Sequence, residues 1–367
     1  MRHVLWLVVV GCAAPVPSLR LDGVATWRGD ATAAYSITHD DVCADRVRGV
    51  FTHADPELTK RGLHAGFAAS AGECEQKKLW PQVATLMAHG HDVFSHTLTH
   101  PCLTNDPKVA AGCDPAAPRS TDFAREIDHA ADLLAAHGIG RDLFIIPYDA
   151  CDPAAVGWLE RRGFLGARCG GHAITPASFT DSFHIDMDVW GPAYSGYGKA
   201  PVCQGVVPFE TPPAQTPPTC RAHVLRQLMD DAIAQRGWAN RVFHGFEGDP
   251  GVWEALPLAD YTAHLDQVKA LADAGTLWVA GPSTVLRYRW ARERCAPPSV
   301  SASTLRFAPT PACARVATTL SYLVSSDLDR PLQLLQAGTW STLRRVGPGR
   351  FIVDADPTRG DAVVMAR

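Results

Sequence analysis

Two short stretches of this sequence combine residue types that can do chemistry. The first, Ser36-Ile37-Thr38-His39-Asp40-Asp41, sets an acidic pair at the carboxyl end of an apolar run. The second, Ser95-His96-Thr97-Leu98-Thr99-His100, also follows an apolar run and carries two histidines four residues apart. On a helical turn that spacing puts both imidazoles on one face, within reach of a single ion. Each signal alone has an ordinary explanation. Aspartate commonly caps helices, and a chain with 15 histidines contains such pairs by chance. Together they supply one carboxylate and two imidazoles, a mixed donor set suited to Zn2+ that leaves positions for water and substrate. The second carboxylate is then free to act as a base.

The elements that must position these residues alternate along the chain. Strands are predicted at Ala34 to Thr38, Leu63 to Ala68, Asp92 to Ser95, Leu143 to Pro147, Arg241 to Phe246 and Leu277 to Ala280. Apolar residues recur between them at helical spacing: Leu79, Val83, Leu86 and Met87; Phe123, Ile127, Ala131 and Leu134; Val224, Leu225, Leu228 and Met229; Tyr261, Leu265, Val268 and Leu271. These helices are expected to end at Gly90, Gly138, Gly237 and Gly275. Such βα alternation implies a parallel sheet, open or closed into a barrel, whose strand carboxyl ends form the usual ligand site. Both motifs fall at such ends. After Cys295-Ala296-Pro297-Pro298 the helical pattern gives way to short alternating runs, so residues 295–367 are expected to form a small all-β, sandwich-like module. The Pro-rich segment Val207 to Thr219 is expected to be a surface loop stapled between Cys203 and Cys220.

The motif residues resemble those of the polysaccharide deacetylases with NodB homology, also called carbohydrate esterase family four. That family's T-F-D-D motif is matched by Thr38-His39-Asp40-Asp41, and its H-S/T-x-x-H motif by His96 to His100. Its late histidine in an apolar strand is matched by Val242-Phe243-His244-Gly245. The three occur in the family's order, and the resemblance covers residues 24–290. It implies a distorted (β/α) barrel of the polysaccharide deacetylase type, with fewer than eight clean repeats. Asp41, His96 and His100 would hold a divalent metal, with Zn2+ the expected ion, and Asp40 would be the general base. His244 would protonate the leaving amine, kept charged by Asp186 or Asp188. The backbone N–H of Tyr148 would face the developing oxyanion, with Pro147 and Trp190 on the substrate side. Trp190, Tyr194 and Tyr197 either line a sugar groove or pack down their Gly-rich loop. Two positions depart from the family. Ile145, in Phe144-Ile145-Ile146-Pro147-Tyr148-Asp149, stands where an arginine orients the base, and His39 replaces Phe.

The implied activity is removal of N-acetyl groups from an N-acetylated cell-wall polysaccharide or exopolysaccharide. The same constellation suits O-acetyl esters, and the loss of arginine at position 145 favours a third alternative, a non-catalytic glycan-binding lipoprotein. Composition narrows the partners. An apolar content of 46% suffices for a sizeable core, and a net charge of -4 offers no basic surface for nucleic acid. Arg2 followed by the apolar run Val4 to Val10 is too short to cross a bilayer and has the form of an export signal. Val9-Val10-Gly11-Cys12 resembles a lipobox whose Cys12 is lipidated; the alternative is cleavage among Gly11 to Ala14. The expected location is the bacterial cell envelope, anchored to the membrane by lipid, or otherwise the secreted pool. The other ten cysteines contain no CxxC and fall as neighbours: Cys43 with Cys74, Cys102 with Cys113, Cys151 with Cys169, Cys203 with Cys220 and Cys295 with Cys313. Sequential disulfides are expected, as in an oxidising compartment. The expected organisation is thus a leader and linker over residues 1–22, a hydrolase domain over 23–294 and the β module over 295–367.

Overall fold

A computed structural model describes residues 16–178, 181–207 and 212–366, so Cys12 and the leader expected around it lie outside the described residues. Two units are present: residues 31–290, and residues 16–30 together with 291–366. The first strand, β1 (Leu19–Val24), belongs to the smaller unit.

The larger unit is built on β2 (Ala33–Val42), β3 (Gly66–Ala69), β4 (Asp92–Ser95), β5 (Leu143–Ile145), β6 (Gly166–His172), β7 (Ile185–Val189), β8 (Trp238–Phe243) and β9 (Leu277–Val279). All neighbouring strands run parallel. Strands β2 to β8 close into a seven-stranded barrel because β3 pairs with the upper half of β2, through Thr38 opposite Gly66. The lower half of that edge, Ala33 to Tyr35, is taken by β9. All ten residues of β2 are buried, as expected of a strand covered by the barrel interior on one face and helices on the other. Those helices include Trp80–Ala88, Ala130–Ala136, Pro153–Arg161, Pro218–Gln235 and Leu258–Asp273. No helix separates β6 from β7 among the described residues, which is the principal distortion of the repeat.

Both β6 and β7 are absent from the strands predicted by apolar patterning. Gly166-Ala167-Arg168-Cys169-Gly170-Gly171-His172 and Ile185-Asp186-Met187-Asp188-Val189 carry glycine or charge where such patterning looks for apolar residues. The helix-ending glycines Gly90, Gly138 and Gly275 take positive φ as expected, but Gly237 does not. Arg236 adopts the left-handed turn instead, at φ 55°. Gly237 is needed for space: a Cβ there would strike Ile174 and lie 2.9 Å from the Thr175 carbonyl.

The smaller unit has two antiparallel sheets. One joins β1, Leu320–Ser326, Arg350–Ala355 and Arg344–Gly347; the other joins Ser299–Ser301, Thr304–Arg306, Ala362–Ala366, Leu332–Gln336 and Thr339–Thr342. Its core includes Leu305, Tyr322, Val324, Leu334, Val353 and Val364. After residue 300 it also contains a short α-helix, Pro311–Val316, where the sequence suggests only strands. The unit boundaries differ from the expected 22/23 and 294/295, because β1 pairs with Leu320–Ser326, across almost the whole chain.

All five expected neighbour disulfides form. Cys151–Cys169 closes a separation of 18 residues between the turn after β5 and strand β6. Chain entropy then implies that C151S/C169S loses about 2–4 kcal/mol of stability. Urea denaturation under non-reducing conditions should show a lower midpoint for this variant, and an unchanged midpoint would contradict the link.

Candidate metal centre and catalytic pocket

Consecutive residues of a regular strand point to opposite faces, so two adjacent aspartates serve one site only if the strand is distorted. It is. Between the pairs His39–Phe67 and Val42–Ala69, β2 spends three steps where β3 spends two, a bulge in which Asp41 takes φ 61°. Thr97, His100, Tyr148 and Asp149 also have left-handed backbones. Non-glycine residues in this region carry strain and collect at functional sites.

The bulge aims Asp41 at both motif histidines. Its Oδ1 lies 3.1 Å from His100 Nε2 and 3.5 Å from His96 Nε2, and it is buried without a hydrogen-bond donor. The other oxygen, Oδ2, is occupied by Arg46, whose Nε and terminal nitrogen approach to 3.0 and 2.9 Å. His96 Nδ1 donates to the Ile145 carbonyl at 3.0 Å, which leaves the Nε2 lone pair facing Asp41. Burial and the neighbouring His96 push His100 down to about 4, so its ring is neutral. Burial opposes charge on His96, but the adjacent Asp41 carboxylate and the Asp40 charge raise its pKa overall. Two ligands about 2.1 Å from one ion at a near-tetrahedral angle lie roughly 3.4 Å apart. Both distances from Asp41 Oδ1 match that spacing, the three donor atoms lie within 4.8 Å of one another, and an orphaned carboxylate oxygen beside two imidazole nitrogens fits a divalent cation.

Asp40 turns the other way and is gripped across the barrel by Arg168, with Nη1 to Oδ1 at 2.9 Å and Nη2 to Oδ2 at 2.5 Å. Both side chains are almost wholly buried. Burial pushes Asp40 up, but Arg168, with help from His96 and His244, more than offsets it and holds the carboxyl below its usual value. Arg168 stands in β6 directly opposite Ile145 in β5. An arginine thus reaches Asp40 from the strand next to Ile145, at the same level of the barrel. Arg168 Nε also lies 3.4 Å from Asp149.

His244 follows β8, and its charge is felt by both Asp40 and Asp41. Burial lowers its pKa against the pull of Asp41 and Asp40, and its Nδ1 is buried without a partner. Asp186 and Asp188 do not engage it. Asp188 stands opposite Arg241 and accepts from Arg241 at 2.7 Å, from His172 Nδ1 at 2.7 Å, from the Ser195 hydroxyl at 2.5 Å and from Gly196 N–H at 3.0 Å. Arg241 also donates to the Val224 carbonyl of helix Pro218–Gln235, so this ion pair faces the helix layer. Asp186 accepts from Gly171 N–H at 3.0 Å. His244 is instead held through its backbone: His39 Nδ1 donates to the His244 carbonyl at 3.1 Å. The opposite nitrogen, Nε2, pairs with the Tyr261 hydroxyl at 3.0 Å. His39 is stacked against Phe67 and Phe246, and burial pushes it down to about 4, so it keeps the aromatic packing of a Phe and adds two polar ends.

The remaining expected residues divide. Tyr148 lies beside the three candidate donors, its ring edge-on to His100 at 4.9 Å, and Pro147 is buried. Trp190 is fully buried against Phe243 and has no exposed face for a sugar. Tyr197 is tied to Asp231 at 2.7 Å. Tyr194 instead meets Trp253, at 4.5 Å between ring centres. Arg46, Arg168 and Trp253 were not singled out by the sequence motifs. An arginine beside a half-cystine in a Gly-rich stretch, Arg168-Cys169, was the one available signal for the second of them.

No family model and no curated protein matches the chain. Solved structures similar to it include polysaccharide deacetylases and family 4 carbohydrate esterases. A putative polysaccharide deacetylase from Mycobacterium smegmatis aligns at 15% identity over 77% of this chain and 98% of its own, with a TM-score of 0.48. Peptidoglycan deacetylase PdaC from Bacillus subtilis aligns at 14% identity over 69% and 89%, with a TM-score of 0.38. BA3943 from Bacillus anthracis, described as a family pseudoenzyme, aligns at 12% identity over 69% and 65%, with a TM-score of 0.40.

The Arg168–Asp40 pair yields a test with a sign. Because the folded-state pKa of Asp40 is depressed, its contribution to stability is present at neutral pH and lost as pH falls through the carboxylate range. Arg168→Met leaves a buried carboxylate unpaired, so about 3–5 kcal/mol of stability should be lost, and the acidic limb of any pH–rate profile should move to higher pH. The exchange I145R/R168I should restore both. Failure of the exchange to recover either property would show that Arg168 does not stand in for residue 145.

Proposed function

We propose that this chain is a divalent-metal-dependent hydrolase that removes acetyl groups from N-acetylated sugars of a polysaccharide, with Zn2+ as the preferred ion. The observation that carries this reading is the convergence of His96 Nε2 and His100 Nε2 on the unpartnered Oδ1 of Asp41, with a second carboxylate, Asp40, ionised and held apart from them. Asp41, His96 and His100 would hold the cation. A divalent ion bound there supplies Lewis acidity for the amide carbonyl and lowers the pKa of water toward about 7.

This chain's own groups then divide the proton work. Asp40 accepts the proton of the water that adds to the acetamide carbon. Charge gathers on the carbonyl oxygen, for which the backbone N–H of Tyr148 is the assigned donor. As the carbon–nitrogen bond breaks, His244 gives a proton to the departing amine, and acetate is the other product. Among the described residues no carboxylate is hydrogen-bonded to His244; burial lowers its pKa, and Asp41 and Asp40 oppose that through space. The larger unit, residues 31–290, carries all of these residues. Five disulfides support an exported location. The lipid anchor at Cys12 remains part of this proposal.

The contact of Arg168 with Asp40 weighs against the non-catalytic reading, whose main support is the missing arginine at position 145. Acetate release from a panel of N- and O-acetylated glycans, with and without chelator, tests the activity. Release should stop with chelator and return with Zn2+. His96→Ala and His100→Ala should lose metal and activity together, whereas Asp40→Asn should keep the metal and lose about 100-fold or more in rate. Full activity of Asp40→Asn, or chelator-resistant release, would refute this mechanism.

A further inference from the structure

Beyond β8 the chain folds residues 245–257 into a loop closed at its neck. Glu247 N–H donates to the Leu256 carbonyl and Leu256 N–H to the Gly245 carbonyl, each at 3.1 Å. Asp249 braces the loop from within, accepting from Phe246 N–H at 2.9 Å and from Gly49 N–H at 2.9 Å. Gly245 sits where a Cβ would lie 2.5 Å from Asp249 and 2.9 Å from the Arg46 carbonyl, so the neck is tightly packed. Glu254, at φ 52°, tucks its side chain against Gly191, where a Cβ would come within 2.7 Å of the carboxyl end. The loop is fixed at both ends and along one side.

This fixed loop presents Trp253, which is 39% exposed, one of few large apolar side chains so exposed among the described residues. Its ring stands perpendicular to His244, at 4.9 Å and 89°, and meets Tyr194 at 4.5 Å and 62°. Tyr194 comes from a different loop, after β7. The nearby aromatic residues Trp190 and Tyr197 are packed down or tied to Asp231, and they show how the same chain treats rings whose task is structural. Two rings from two loops therefore meet beside His244, with Trp253 exposed and Tyr194 half-buried. A pyranose ring has C–H groups on its faces and hydroxyls on its rim. Its C–H faces match the aromatic faces of such a pair.

We propose that Trp253 and Tyr194 form a sugar subsite beside His244, which takes the pyranose ring next to the reacting acetamido group and so selects oligomeric over simple acetyl substrates. This rests on the proposed deacetylase reading. Because the loop is already braced, little ordering cost is incurred on binding.

Trp253→Ala and Tyr194→Ala should each raise KM for an N-acetylated oligosaccharide about tenfold. They should leave kcat within about threefold and lower the ratio of kcat/KM for oligosaccharide over an aryl acetate by a similar factor. Trp253→Phe should recover most of the loss, and Trp340→Ala, an exposed tryptophan in the smaller unit, should match the parent. An unchanged ratio in the Ala variants, or a fall in kcat with no change in KM, would overturn the subsite. Calorimetric binding of the same oligosaccharide gives a readout that survives failure of the deacetylase reading. Binding by the parent that is lost in Trp253→Ala supports the subsite even without turnover. Equal binding by both, or no binding by the parent, overturns it.

Discussion

Two carboxylates in sequence, both buried and both ionised, repel each other and lose hydration, so each must be given its own positive partner. The pocket is organised around that requirement. The bulge in β2 puts Asp40 and Asp41 on one pocket, and the barrel then separates their surroundings. Asp40 receives both terminal nitrogens of Arg168 from the far wall. Asp41 has Arg46 on one oxygen and presents the other, unpartnered, to two imidazoles. One carboxylate is thereby saturated by protein, and its neighbour is left short of positive charge. This asymmetry suits them to the two different tasks that the proposed function gives them, a proton acceptor and a metal ligand.

Covalent links sit close to each part of the arrangement. Cys43 is two residues beyond Asp41, Cys102 two beyond His100, and Cys169 directly follows Arg168. Their disulfides tie the end of β2 to helix Ala71–Gln76, close the loop after His100, and join the turn carrying Tyr148 to β6. Left-handed backbone at Asp41, Thr97, His100, Tyr148 and Asp149 costs on the order of 1 kcal/mol or more per residue. Cross-links on the same short segments limit their relaxation. His39 contributes in another way, holding the His244 carbonyl from within an aromatic layer.

The sequence made the ends of the strongest strands legible, because an apolar run that stops at Asp40-Asp41, His96 or His244 declares both the strand and its chemistry. It concealed β6 and β7 for the converse reason. Arg168 points into the barrel and Asp188 into the helix layer, so each strand puts charge where patterning expects Leu or Val. The arginine missing from position 145 could not be traced, since strand pairing between Ile145 and Arg168 is a tertiary fact. The family resemblance puts Asp186 or Asp188 near His244, a tertiary placement that sequence order does not fix. Register opposite Arg241 sends Asp188 elsewhere. The aromatic residues of the Gly-rich loop divide by burial, which composition does not specify: Trp190 is internal, while Tyr194 meets a tryptophan more than fifty residues later. The smaller unit takes its first strand from Leu19–Val24, and a six-residue segment whose partner lies near the other end of the chain carries no local mark of that pairing.

The central claim is that Asp41, His96 and His100 form one three-donor site. X-ray absorption at the zinc edge, on protein loaded with a single equivalent of Zn2+, tests it directly. The account predicts a shell of nitrogen and oxygen at about 2.0–2.1 Å, with the outer-shell scattering of two imidazole rings. That imidazole signal should fall by half in His100→Ala. A sulfur-containing shell, an all-oxygen shell, or a spectrum indifferent to the loss of His100 would contradict it.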